Sequence, residues 1–144
     1  MAEQMFCYQC EQTAGGKGCT KVGVCTKTPE IAAMQDLLIY QLKGTSCYAV
    51  KLLEKGEKID KSIVSFVEDA LFMTLTNVNF DPEAHINMLK KSQKIKEELR
   101  QKVGQESLNT PEALYNLSNS KEEILEDAKK AGVMYDQDLN EDIR

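Results

Sequence analysis

Apolar residues recur at three- and four-residue intervals along most of the chain, a period that predicts helices. The first such run opens at Pro29. Ile31, Met34, Leu38, Leu42, Ala49, Leu52 and Leu53 form its apolar stripe. Thr28 then Pro29 marks its start: a hydroxyl to cap free amides, followed by a residue that has no amide to satisfy. Gly44 is a candidate kink or division inside the run, and Gly56 is its expected C-terminal stop. A second helix is expected from about Asp60 or Ser62 to about Val78, with Ile63, Phe66, Val67, Ala70, Leu71 and Leu75 as its stripe. Asp81, Pro82 and Glu83 open a third, with Ile86, Leu89, Ile95, Leu99 and Val103 on the apolar face and a lysine-rich face toward solvent. Gly104 ends it. After the linker QESLNT, Thr110 and Pro111 begin a short helix, PEALYNL. Ser120 and Glu123 form a capping box for KEEILEDAKKAG, which Gly132 stops. The acidic segment VMYDQDLNEDIR follows with no stop signal of its own.

Residues 1–28 break this pattern. They carry four of the five cysteines and four of the eight glycines, with no helical period, and read as a wrapped loop. No segment shows the two-residue alternation of a half-buried strand. The expected fold is therefore all-α: about three main helices plus shorter C-terminal ones, with a Cys-rich cluster-binding loop at the N-terminal end. Residues 1–28 are the loop and residues 29–144 the bundle, together part of one α-helical domain.

Composition narrows the function. A chain of 144 residues with 42% apolar and 28% charged residues suits one soluble domain with a real core. The net charge of -5 argues against nucleic acid as a partner, since phosphate binding wants a basic face. The opening MAEQMFCYQCEQ has neither the basic nor the apolar region of a signal peptide. No apolar run approaches the roughly 18 residues of a membrane span. The expected location is cytoplasmic, where cysteines stay reduced. Five cysteines, an odd number, also weaken a fully paired disulfide set.

Cys7, Cys10, Cys19 and Cys25 are spaced C-x2-C-x8-C-x5-C. Disulfides have little reason to form in a reducing compartment with an adequate core. Zinc fits the first C-x2-C pair, but structural zinc usually takes a second close pair, and here five residues separate the last two cysteines. An iron–sulfur cluster is larger than an ion. Its corner irons need thiolates arriving from spread directions, which a close pair and two looser ligands on an irregular loop supply. Zinc remains the alternative. Gly15, Gly16 and Gly18 let backbone amides approach such a group. Lys17, Lys21 and Lys27 are placed to offset its charge, or simply to solubilise the loop. Phe6, Tyr8 and Val24 are candidates for an apolar shell around it. Glu11 and Gln12 are candidates for orienting the loop. Cys47 reads as a small buried side chain rather than a fifth ligand. His85, the single histidine, reads as structural or exposed.

The opening MFCYQCEQTAGGKGCTKVGVC, continued by TKTPEIAAMQDLLIYQLKG, resembles the N-terminus of the hybrid cluster protein family, also called prismane proteins or hydroxylamine reductases. EDALFMTLTNVNFD and AKKAGVMYDQDLNEDIR resemble it too, and the likeness is weaker between about residues 90 and 120. The resemblance implies an α-helical first domain. It implies a cubane [4Fe–4S] cluster on Cys7, Cys10, Cys19 and Cys25, where members with other spacings hold a [2Fe–2S] cluster. Members reduce hydroxylamine or nitric oxide at a separate hybrid cluster, whose histidine, glutamate and cysteine motifs have no matching positions here. Members continue into a further helix and two α/β domains, so the chain is expected to be either a fragment or a small standalone relative. The implied function is an electron-transfer module, not catalytic alone. Its expected partners are the remaining domains of the parent enzyme or a redox partner protein, with a homodimer through exposed apolar surface as a further expectation. A zinc-binding or metal-free helical interaction module is the alternative.

Overall fold

A computed structural model describes residues 5–75, 79–104 and 108–132. Among them there is no strand, and the protein is all-α. The helices are α1 (Pro29–Glu54), α2 (Lys61–Leu75), α3 (Pro82–Val103), α4 (Pro111–Leu114) and α5 (Lys121–Ala131), preceded by a 3-10 turn at Ala14–Gly16. Helix α1 is the centre of the bundle, with the other four packed on it. Its sequence explains this. Ile31, Ala32, Met34, Gln35, Leu37, Leu38, Gln41 and Leu42 are all buried, so apolar contact extends around most of the helix instead of along one stripe.

Met34, Leu38 and Leu42 meet Phe66 and Ala70 of α2, Ile86 and Leu89 of α3, and Ile124 and Ala128 of α5 in the main core. A second cluster joins Tyr48 and Leu52 of α1 to Ile63, Leu99, Val103 and Ala113. Each large side chain so enclosed contributes about 1.5–3 kcal/mol of burial.

The expected caps form. The Thr28 hydroxyl accepts from the Ile31 amide at 3.3 Å, and Asp81 accepts from Glu83 at 3.0 Å. The Ser120–Glu123 capping box closes in both directions. Thr110 precedes Pro111 as expected, but its side chain makes no capping bond.

Several expectations change. Helix α1 runs unbroken through Gly44. That glycine is there for close approach: a Cβ would lie 2.1 Å from the Glu112 carbonyl oxygen of α4. Helix α4 is one turn, shorter than PEALYNL, because Tyr115 is already extended at ψ 134. Leu53, Leu71 and Leu75, placed in apolar stripes, are exposed. Lys96 leaves the solvated lysine face and is buried. The expected last turn of α2 up to Val78, residues 105–107 of the linker and the acidic segment 133–144 lie outside the described residues. No described helix is long and apolar enough to cross a membrane.

Candidate metal centre

The cysteine loop docks on the start of α1. Met5 and Cys19 are buried against Ala32, with Cys7 partly buried beside them. Cys7 and Cys19 pair as an isolated antiparallel bridge, exchanging N–H···O bonds of 3.0 and 2.9 Å. Such a pair holds both side chains on one face. Gly18, just before Cys19, sits at φ 107, and a Cβ there would meet the Phe6 ring at 2.7 Å. Only glycine suits that conformation and that approach. The Thr13 hydroxyl accepts from the Gly18 amide at 3.3 Å and closes the turn.

Cys25 is carried by a second turn. The Gly23 amide donates to the Lys27 carbonyl and the Thr26 amide to the Gly23 carbonyl, both at 2.8 Å. Thr26 pays for this turn with φ 74, a left-handed conformation that a β-branched residue rarely adopts. The Thr28 cap of α1 follows at once, so Cys25 and Lys27 are fixed between a strained turn and a helix start.

All four cysteines are free thiols and line one small cavity, together with Gln9, Gln12, Thr13, Gly23, Val24, Lys27 and Leu75. Among the described residues, however, no three His, Cys, Asp or Glu side chains converge closely enough to hold one ion. The thiols ring the cavity. Cys19 is buried, Cys7 and Cys25 half-buried, and Cys10 exposed. In number and type the donors fit an iron–sulfur cluster, which takes four thiolates. Cys10, Gln12, Val24 and Leu75 form the exposed part of the wall, where side chains can swing outward with little packing to lose.

Lys27 is the charged wall of this cavity and is only 4% exposed. Its ammonium donates to Cys7 Sγ at 3.5 Å, Gln9 Oε1 at 3.4 Å and the Thr74 carbonyl at 3.4 Å. Lys17 and Lys21, grouped with it by sequence, are exposed. On the other side, Lys27 shares a second cavity with Phe6, Cys7, Tyr8 and Asp36. Burial pushes the Asp36 carboxyl up to about 7, and the Lys27 charge pulls partly against that shift.

Lys27 also reaches the end of α2, whose last carbonyls have no partners within the helix. Gln35 Nε2 donates to the Met73 carbonyl at 3.3 Å, beside the Lys27 bond to Thr74. The same Gln35 nitrogen donates to His85 Nε2 at 3.1 Å, while His85 Nδ1 donates to the Asp81 carbonyl at 2.8 Å. His85 is thus buried and structural, held at both ring nitrogens.

Other expected residues fall differently. Tyr8 and Val24 are 58% and 60% exposed, so of the expected apolar shell only Phe6 packs inward. Tyr8 instead donates its hydroxyl to the Gly16 carbonyl at 3.2 Å. Glu11 and Gln12 are exposed, and Gln12 lines the cavity. Cys47 lies on α1, half-buried rather than buried, with its sulfur 3.7 Å from the Thr110 hydroxyl and outside the cavity of the other four. The sequence signal for Lys27 was its position, between the last cysteine and the Thr28–Pro29 helix start. For Asp36 it was a carboxylate set within the apolar run of α1.

The chain is similar to proteins named hydroxylamine reductase. A family model for the Prismane/CO dehydrogenase family matches residues 5–144. The hydroxylamine reductase of Syntrophobacter fumaroxidans is 41% identical over 143 residues, which is 96% of this chain and 26% of that protein. That of Desulfovibrio desulfuricans is 41% identical over 144 residues, 100% of this chain and 26% of that protein. That of Clostridium tetani is 50% identical over 99 residues, 69% of this chain and 17% of that protein. The chain spans about a quarter of the length of the first two relatives and corresponds to their N-terminal region. It belongs to the Prismane/CO dehydrogenase family, whose proteins bind iron–sulfur clusters.

Proposed function

We propose that this chain is the electron-transfer part of a hydroxylamine reductase. Cys7, Cys10, Cys19 and Cys25 hold a [4Fe–4S] cluster that supplies one-electron chemistry and feeds a hybrid-cluster centre held outside this chain. The observation that carries the reading is one cavity lined by four free thiols and a buried ammonium. The names of the relatives supply the reaction. In the loop, the Cys7–Cys19 bridge sets two donors on one face. The Gly23–Lys27 turn presents Cys25, and Met5 and Phe6 limit water on the helix side. Four thiolates around a cluster occupy every iron, so the site carries electrons and leaves no position open for substrate.

The electron acceptor in this reading is the remainder of the parent enzyme or a redox partner protein, and the thiols call for a reducing compartment such as the cytoplasm. Val64, Leu71 and Leu75 on α2 leave exposed apolar surface where the remainder of such a protein, or a second copy of the chain, would dock.

Anaerobic purification with iron, sulfide and zinc analysis, followed by electron paramagnetic resonance of the dithionite-reduced chain, tests the proposal. Four irons and four sulfides per chain with a reduced-cluster signal are expected on the cubane reading. Stoichiometric zinc with neither iron nor sulfide would sink it and leave a zinc-clasped helical module.

A further inference from the structure

Three lysines accompany the cysteines, and only Lys27 is enclosed. An enclosed ammonium is costly unless dipoles or an opposite charge meet it. Two of its partners, Gln9 Oε1 and the Thr74 carbonyl, are neutral. The third is Cys7 Sγ, a group that becomes anionic as a metal ligand. Asp36 is the acid whose carboxyl senses Lys27, and it lies with Lys27 along the neighbouring cavity.

We propose that Lys27 is the positioning and charge-compensating residue of the metal centre: held on Gln9 Oε1 and the Thr74 carbonyl, its ammonium donates to the Cys7 sulfur and stabilises negative charge on whatever the four cysteines bind. This role deepens the cluster reading and rests on it for its redox consequence. Reduction adds one electron, delivered by an electrode through a mediator, to the bound cluster, whose negative charge rises by one. A fixed cation at the Cys7 sulfur favours that reduced form, and enclosure keeps solvent and salt from screening it. Removing the cation therefore makes reduction harder. Lys17 and Lys21, in solvent, are too well screened to matter much.

The alternative for Lys27 is purely mechanical: capping the end of α2 through Thr74. A cap changes stability and leaves the potential alone, so the potential is the deciding readout. Cluster-loaded full chains carrying Lys27→Met, Lys27→Gln, Lys27→Arg, Lys17→Met or Lys21→Met are titrated by spectroelectrochemistry, with far-ultraviolet circular dichroism and iron content as controls for folding. Lys27→Met and Lys27→Gln are expected to lower the equilibrium constant for reduction about tenfold, which is about 59 mV for a one-electron couple. Lys27→Arg is expected to recover most of the shift, and the Lys17 and Lys21 variants to stay within about twofold of the parent. If Lys27→Met fails to fold, Lys27→Gln, which keeps N–H donors while removing the charge, decides. A folded, loaded Lys27→Gln chain with a potential within about twofold of the parent overturns the role.

If the parent chain takes up no iron and sulfide, the cluster reading fails by itself, and the charge role is read another way. Binding of cadmium to the reduced, metal-free chain is then followed by thiolate-to-metal absorbance. About tenfold weaker binding by Lys27→Gln, restored by Lys27→Arg, supports the role, and equal affinities overturn it.

Discussion

Lys27 lies where the cysteine loop meets α2, and Lys96 where α3 meets α4. Both are nearly sealed from water, at 4% and 2% exposure. Lys96 donates to the carbonyls of Glu112 and Tyr115, and its ammonium stands 5.3 Å from the Tyr115 ring centre. All of these partners are uncharged oxygens or a π face. Burial accordingly pushes the Lys96 ammonium down to about 8, with Arg100 adding to the shift and Glu97 opposing it. Lys27 has a sulfur among its partners and a carboxyl within its electrostatic reach. Burial alone therefore does not mark a functional cation. One lysine bolts two helices together, and the other faces a group that can take negative charge.

The largest effect should come from truncating the bolt. Lys96→Ala removes an enclosed stem and leaves two carbonyls without their donor, and is expected to cost roughly 4 kcal/mol of stability in a denaturant titration. Gly44→Ala should cost about 3 kcal/mol at the same joint, since its Cβ would strike Glu112 and approach the Lys96 stem at 3.2 Å. The double variant should lose less than the sum, because both changes disturb the seating of Glu112. Neither variant should move the potential of a cluster held by the four cysteines. A shift there as large as that from Lys27→Gln would erase the distinction between the two lysines.

A smaller effect concerns pH. The folded-state value of Lys96, about 8, lies below its ordinary 10.5. Between these values the unfolded chain binds more protons, so stability should rise with pH, by about 2 kcal/mol from pH 8 to 10. Above pH 10 Tyr115 opposes this rise. Burial and its hydrogen bond to Asp127 hold its phenol protonated in the fold after the unfolded chain has ionised. Comparing melting temperatures of the parent and Lys96→Ala at pH 8 and pH 10 isolates the Lys96 share. Equal slopes would remove the case for a destabilised buried cation.

The smallest effect sharpens the Lys27 side. Thr26→Gly relieves the left-handed threonine next to Cys25, and glycine's extra freedom when unfolded offsets part of the gain. A rise of about 0.5 kcal/mol is expected, with metal content unchanged. A loss of stability instead would mean that the threonine side chain, not the turn, holds Cys25 and Lys27 in place.

What the sequence disclosed was chemistry that acts over three or four residues. Thr28, Asp81 and Ser120 cap the helices they were expected to cap, because a cap needs only its own first turn. That four closely spaced cysteines share one loop was legible for the same reason, and the structure brings them to one cavity. Contacts between distant segments were not. Gly44 looked like a break because its reason for being glycine, the Glu112 carbonyl, lies far along the chain. Lys96 looked solvated because nothing near it in sequence shows that Glu112 and Tyr115 fold over it. Lys27 could not be separated from Lys17 and Lys21 until the end of α2 came to rest on it. Leu53, Leu71 and Leu75 fit a helical stripe, yet none of the described residues packs deeply enough on them to cover them.

The Cys7–Cys19 bridge bears on the order in which the proposed centre would assemble. Fixing one residue's backbone costs about 1–2 kcal/mol, and the bridge has met that cost for two of the four proposed donors before any metal arrives. As ligands they would form a chelating pair across eleven intervening residues, anchored by Met5 against Ala32. Capture should begin at this rigid pair, with exposed Cys10 closing over it last. Loss of metal should then start at Cys10, and the anchored half would remain as a template for reloading.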